Sequence, residues 1–255
     1  MIKFSVCIEA LYRQVPFVER IEKVAAVGMK AFEFWGWGNK DIDAIKAAKA
    51  KFGLEVGTFG ADVGGSLVDP SNRVKIPDAL KRSAEVAHKL GCKSLIVTTG
   101  NEIQGVPREA QHKSIVDGLK VAAKIMESER LTLCLEPLNI LVNHKGYYLY
   151  TSAEGFQIID EVGSPNVKLL YDIYHQQITE GNLIATITAN IARIGHFHLA
   201  DVPGRHEPGT GEINYKNVFR SISEAGYKGF VGLEYWPQGS DDDSLKMLLD
   251  MVADI

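Results

Sequence analysis

Short apolar and β-branched runs alternate along the chain with longer stretches whose apolar positions recur every three and four residues. The first run, residues 3–8, precedes a helical pattern through Phe17, Ile21, Val24 and Gly28. Runs at 31–35, 54–59 and 94–98 follow. Their helical partners pass through Ile42 and Ile45, then through Ile76, Leu80, Ala84 and Ala87 up to Gly91. The next, opened by Pro107, presents Ile115, Leu119, Ala122 and Met126 on one face. The second half repeats the scheme with runs at 131–136, 167–172, 194–200 and 230–234. Thr151, with Glu154 three residues on, reads as a capping box opening the fifth helix. Further helices are expected from about Asn182, through Val218, Ile222 and Ala225, and through Leu245, Leu248 and Val252. The run Asp241-Asp242-Asp243 suits the start of the last one, where acidic groups meet the positive end of the helix dipole. Apolar strands that each feed an amphipathic helix predict a parallel sheet covered by helices. Eight such repeats in 255 residues, roughly 32 residues each, predict an α/β fold: a single (β/α)8 TIM barrel spanning residues 1–255 as one domain.

Composition narrows the partners. The chain is 45% hydrophobic and 24% charged, which suits a folded protein with a sizeable core. With 28 Lys and Arg against 32 Asp and Glu, the net charge of −4 supplies no cationic excess for displacing counterions from nucleic acid. No apolar run approaches the roughly 20 residues that span a bilayer, and the N-terminal residues lack the pattern of a secretory signal. Cys7, Cys92 and Cys134 are odd in number, widely spaced and set in apolar stretches, so buried reduced thiols and a cytoplasmic location are expected. The partner expected is a small-molecule substrate, with no nucleic acid and no membrane; a homo-oligomer is left open. The glycines at 64–65 and 209–211 lack the contexts that cradle nucleotide phosphates, so no nucleotide cofactor is expected.

A barrel carries its chemistry at the C-terminal ends of its strands. There the fifth strand presents Glu136, the sixth Asp172, the seventh His198 and the eighth Glu234, spaced 36, 26 and 36 residues apart. Any one of them alone reads as a solvated loop residue, a helix cap or a core histidine. Four at the same place in consecutive repeats point to a metal site. Three carboxylates and one imidazole suit one divalent ion, Mn2+ or Mg2+, with Co2+ as a further candidate. His196 alternates with Phe197 and so faces the same way as His198; one of the pair is expected to ligate and the other to support it. Trp35, Trp37 and Trp236 follow strand ends and are either packing or the walls of a polyol pocket. Gly100, Asn101 and Lys145 are weaker candidates for the mouth.

The segment Gly204-Arg205-His206-Glu207-Pro208-Gly209-Thr210-Gly211-Glu212-Ile213-Asn214-Tyr215, with Gly181-Asn182-Leu183 and Gly232-Leu233-Glu234-Tyr235, carries a resemblance over essentially the whole chain. The sequence resembles the xylose-isomerase-like TIM-barrel family, and within it the hydroxypyruvate isomerase group. A pattern shared with the related ketose 3-epimerases also maps here: Glu136-Pro137-Leu138-Asn139, Asp172 with His175, His198, Arg205 and Glu234. The resemblance implies that Glu136, Asp172, His198 and Glu234 bind one divalent ion and that Glu136 and Glu234 serve as the catalytic acid and base. Some hydroxypyruvate isomerase relatives carry Gln where this chain has His198, which brings the chain closer to the epimerases.

The chemistry expected is a metal-dependent isomerisation of a small hydroxy-keto acid, hydroxypyruvate to tartronate semialdehyde or a 2-oxo-tetronate relative. A proton leaves the carbon beside a carbonyl and returns to its neighbour, while a divalent ion stabilises the enediolate. His175 and Arg205 are expected to bind substrate, Arg205 through a bidentate fork to a carboxylate. His206 and Glu207 are weaker candidates. The alternative is a ketose 3-epimerase acting on free sugars such as ribulose, psicose or tagatose. A barrel-type DNA-repair endonuclease would need a three-zinc cluster with more histidine ligands than strands two to four provide, and a non-catalytic binding barrel would show no proton exchange.

Overall fold

The computed structural model describes residues 2–253, so the bounds 1 and 255 of the expected domain lie outside the described residues. Eight parallel strands close into a barrel in the order of the chain. They are β1 (Lys3–Cys7), β2 (Ala31–Gly36), β3 (Glu55–Gly60), β4 (Ser94–Val97), β5 (Thr132–Leu135), β6 (Val167–Asp172), β7 (Ile194–Leu199) and β8 (Phe230–Leu233). The surrounding helices are α1 (Glu19–Ala26), α2 (Ile42–Phe52), α3 (Ile76–Leu90), α4 (Arg108–Glu129), α5 (Ser152–Val162), α6 (Ile173–Thr179), α7 (Leu183–Asn190), α8 (Tyr215–Glu224) and α9 (Asp241–Met251). The expected barrel is the observed one.

Local chemistry accounts for the boundaries. Asp41, Thr151, Asn214 and Ser240 each accept a backbone N–H three residues on, which starts α2, α5, α8 and α9. Gly53 and Gly91 end α2 and α3 in the left-handed conformation that glycine adopts without a Cβ clash. The capping box at Thr151 closes on one side only. Thr151 accepts from the Glu154 N–H, but the Glu154 carboxylate turns to Arg108, Tyr148 and His112 and ties α5 to α4. The helix α6 is absent from the apolar periodicity. It exists because Asp172 Oδ1 accepts from the N–H groups of Tyr174 (2.8 Å) and His175 (3.2 Å) immediately after β6.

Between the barrel and its helices the rings of Phe34 and Phe59 stack 5.1 Å apart and 2° from parallel, and Phe32, Leu95, Leu133, Leu169 and Leu233 are fully buried, while Ile96, Cys134 and Leu170 form a separate buried cluster inside. Residues facing one another across neighbouring strands bring the chemistry together: Asp172 pairs in register with His198, and His198 with Gly232. Cys7, Cys92 and Cys134 are free and buried, and burial pushes the Cys92 thiol up to about 12 and the Cys134 thiol to about 11. Among the described residues no helix is long and apolar enough to cross a membrane.

Candidate functional site

At the C-terminal mouth, Glu136, Asp172, His198 and Glu234 each place one ligand atom within 4.8 Å of the others, and all four are buried. Glu136 and Glu234 stand one residue beyond β5 and β8, where the chain has turned out of the sheet but is still held to it. Glu136 N–H bonds to Val97 O and Glu234 N–H to Leu199 O. The Glu136 carbonyl accepts from the Tyr147 hydroxyl (2.8 Å), which itself accepts from the Thr99 N–H (2.8 Å). Asp172 divides its two oxygens: Oδ1 caps α6, and Oδ2 lies 3.5 Å from His175 Nε2 and 3.7 Å from Arg205 Nη2. Capping and site-building are therefore one function of the same side chain.

His198 turns Nδ1 to the carboxylates, 3.2 Å from Glu136 Oε1 and 3.6 Å from Glu234 Oε2. Burial alone would lower its pKa, but Glu234, Glu33 and the hydrogen bond to Glu136 raise it well above the ordinary histidine range. Burial, joined by Glu234 and Asp172, pushes the Glu136 carboxyl up against the opposing pull of His198. Three acids crowded at this depth carry more negative charge than one imidazole and one arginine offset. Such a donor set, hard oxygens with a single nitrogen, fits a divalent cation.

Glu234 is held from both sides: the Trp35 indole N–H donates to Oε1 (2.5 Å), and Arg205 Nη2 pairs with Oε2. Arg205 has left-handed backbone (φ 60°) in the loop after β7. Its guanidinium lies 5.0 Å from the Tyr174 ring and 5.1 Å from the Trp236 ring, and its Nε has no hydrogen-bond partner. His175 is fully buried, and its Nδ1 accepts from the Asn139 backbone N–H (3.2 Å). A neutral His175 therefore carries its proton on Nε2. Burial and the nearby Arg205 push its pKa well below the usual value, which keeps it neutral.

Glu136, His175, His198, Arg205 and Glu234 line a cavity of about 650 Å3 together with Trp35, Trp37 and Trp236. Thr98, Leu138 and His144 also line it, while the weaker candidates Gly100, Asn101 and Lys145 do not. His206 and Glu207 do not line it: His206 Nδ1 lies 2.6 Å from the Trp236 carbonyl, and Glu207 accepts from the Gln238 N–H. They tie the loop after β7 to the segment after β8. An open groove of about 790 Å3 between α5 and α7 lies apart from this cluster.

Glu33 on β2, which in the sequence reads as one position of an apolar strand, is buried beside the site. Its Oε2 lies 3.1 Å from His196 Nε2, and its Oε1 lies 2.9 Å from His198 Nε2, an ion-pair contact off the best hydrogen-bond angle. Burial would raise the Glu33 carboxyl from 4.5, but His196 and His198 outweigh it and bring it down to about 2. A depressed carboxyl contributes stability that is present above its unfolded value and lost as pH falls through the folded one. The Tm difference between the metal-free protein and Glu33→Gln should therefore narrow on acidification from about pH 6 to about pH 3. A difference that stays constant over that range would contradict the ion pair.

A sequence profile described as "Xylose isomerase-like TIM barrel" matches residues 21–252. The chain is similar to a hydroxypyruvate isomerase of Escherichia coli, 34% identical and aligned over 97% of this chain and 98% of the relative. It is 30% identical to a 2-oxo-tetronate isomerase of Cupriavidus necator, with 97% and 98% covered. Among solved structures, one described as an AP endonuclease, family 2, from Brucella melitensis superimposes with a TM-score of 0.93 at 28% identity, covering 98% of this chain and 99% of that one.

Proposed function

The chain belongs to the xylose isomerase-like TIM barrel family, and from that membership we propose that it is a divalent-metal-dependent isomerase of small hydroxy-keto acids. Hydroxypyruvate, converted to tartronate semialdehyde, is the substrate that best matches the relatives, with 2-oxo-tetronates next. The observation that carries this reading is the buried cluster of three carboxylates and one imidazole at the barrel mouth. With His198 as its one imidazole, that cluster is suited to a single hard cation, not to the multi-zinc chemistry of an endonuclease.

Glu136, Asp172, His198 and Glu234 would hold the ion, which supplies Lewis-acid stabilisation to negative charge on two adjacent substrate oxygens. Each glutamate offers one oxygen to the ligand set, and the proton would be handled at its second oxygen. We assign to Glu136 and Glu234 the removal of the proton beside the substrate carbonyl and its return to the neighbouring carbon. Neutral His175, with its proton on Nε2 and no partner for it, donates to a substrate oxygen. The indoles of Trp35, Trp37 and Trp236 exclude water, which strengthens every charge interaction in the cavity.

Arg205 is assigned the substrate carboxylate, through the Nε that has no partner in the protein. Arg205→Ala also releases Glu234, and that loss falls equally on every substrate. The carboxylate term is isolated by comparing acids with neutral ketoses. We expect kcat/KM for hydroxypyruvate to fall by about 2–3 kcal/mol more than for any ketose the enzyme accepts, the scale of a charge-assisted hydrogen bond. A panel of hydroxypyruvate, 2-oxo-tetronates, ribulose, psicose and tagatose with Mn2+ or Mg2+ provides the measurement. Equal losses on both classes would mean that Arg205 serves Glu234 alone and would favour a sugar epimerase.

A further inference from the structure

A carboxylate inside a barrel needs a reason, because burial without a partner costs more than a lone pairing returns. Glu33 is 2% exposed. It reaches from β2 to two histidines of β7, with β1 and β8 standing between those strands in the closed sheet. Small residues clear its path. A Cβ at Gly232 on β8 would stand 2.3 Å from Glu33 Oε1 and 2.6 Å from His198 Cδ2, filling the gap through which the two side chains meet. On β3, a Cβ at Gly57 would come within 2.4 Å of Ser5 Oγ and 3.5 Å of Glu33 Oε2. Neither glycine has a positive φ, so the requirement there is space, not backbone conformation.

The His198 ring bridges two different surroundings: Nε2 beside Glu33 at 2.9 Å and Nδ1 beside Glu136 at 3.2 Å. The His196 ring lies nearly perpendicular to it, 86° and 5.1 Å away, and engages the second oxygen of Glu33. That contact keeps the carboxylate from rotating off His198. An imidazole can ligate an ion only through a nitrogen that carries a lone pair, and the partner of the other nitrogen decides which one that is.

We propose that Glu33 is a positioning residue: it receives the Nε2–H of His198 and so presents Nδ1 to the cation held by Glu136, Asp172 and Glu234. This rests on the metal-site reading above. Without Glu33, the three carboxylates would favour the opposite tautomer, with the proton on Nδ1 pointing at them and the ligand atom turned away.

The test is Mn2+ titration of the full chain by calorimetry, with pulsed electron paramagnetic resonance on the loaded protein to detect nitrogen modulation from a coordinated imidazole. The wild type should bind one Mn2+ and show that modulation. Glu33→Gln should bind Mn2+ about 10- to 100-fold more weakly, the range seen when a ligand's hydrogen-bond partner is removed, with the nitrogen modulation reduced or lost. Gly232→Ala, whose methyl forces Glu33 and His198 apart, should reproduce both effects and serves if Glu33→Gln does not fold. A folded variant with unchanged affinity and unchanged modulation would overturn the proposal, since a merely structural role leaves the spectrum intact. A second Mn2+ in the wild type that is lost in Glu33→Gln would overturn it differently, by making Glu33 a ligand. A wild type that binds no Mn2+ would overturn the metal-centre reading itself, and this inference with it.

Discussion

Glu136→Gln and Glu234→Gln are each expected to lower turnover at least about 100-fold, the lower end of what a positioned acid or base contributes. Glutamine keeps the shape and one oxygen but cannot take a proton. The two variants should differ in their side effects. Glu234 is clasped by Trp35 and Arg205, so its glutamine variant also leaves Arg205 with Asp172, 3.7 Å away, as its remaining ion-pair partner among the described residues. At Glu136 burial and the neighbouring acids already resist ionisation, so a neutral glutamine is tolerated electrostatically. Metal content has to be measured beside the rates, because a lost ligand would mimic a lost base. Near-normal turnover at full metal occupancy in either variant would remove that glutamate from the mechanism.

The second large effect is expected at a residue outside the ligand set. Asp201, fully buried just after β7, accepts four backbone N–H groups. Oδ1 takes those of Val202 (2.9 Å) and Ile213 (3.1 Å), and Oδ2 those of Gly209 (2.9 Å) and Gly211 (2.9 Å). It also accepts the Arg205 N–H at its own carbonyl. The loop bearing Arg205 is therefore folded around one carboxylate. A Cβ at Gly211 would stand 2.1 Å from the Val202 carbonyl, so the chain can close this tightly only with glycine there. Asp201→Ala strands the four N–H groups on its carboxylate, of which that of Ile213 is buried and the others partly so; a buried donor left unpaired costs about 1–3 kcal/mol. With partial hydration we expect a loss of about 3–5 kcal/mol and a fall in Tm on the order of 10 °C. Substrate turnover should fall as well, because Arg205 loses its platform. A Tm within about 2 °C of wild type would show that the loop is held by something else.

The barrel was legible because eight apolar runs and their helices each carry their own signal, repeated. The four strand-end residues were legible for the same reason: recurrence at one position of the repeat, combined with the resemblance, singled out Glu136, Asp172, His198 and Glu234. What escaped was set by tertiary contacts. Glu33 sits in Ala-Phe-Glu-Phe-Trp, where one polar residue in a strand looks like simple alternation; its meaning comes from His196 and His198, more than 160 residues away. The available signal was a carboxylate and two histidines on β2 and β7, two strands whose other side chains are apolar. The helix α6 spans seven residues, too few for a periodicity to register, and is started by an Asp first read for its chemistry. The glycine-rich segment from Gly204 carries the resemblance, yet Asp201, three residues before it, folds that loop. His206 and Glu207, weaker candidates for chemistry in the sequence, fasten the same loop.

The most direct test of the central claim is proton NMR of hydroxypyruvate in D2O with the Mg2+-loaded protein, repeated after removal of the ion by a chelator. The account predicts deuterium entering at the carbon beside the carbonyl, accompanied by tartronate semialdehyde, with both abolished by chelation and restored by added Mg2+. Exchange that persists without the ion, or no exchange in the loaded protein, would contradict it.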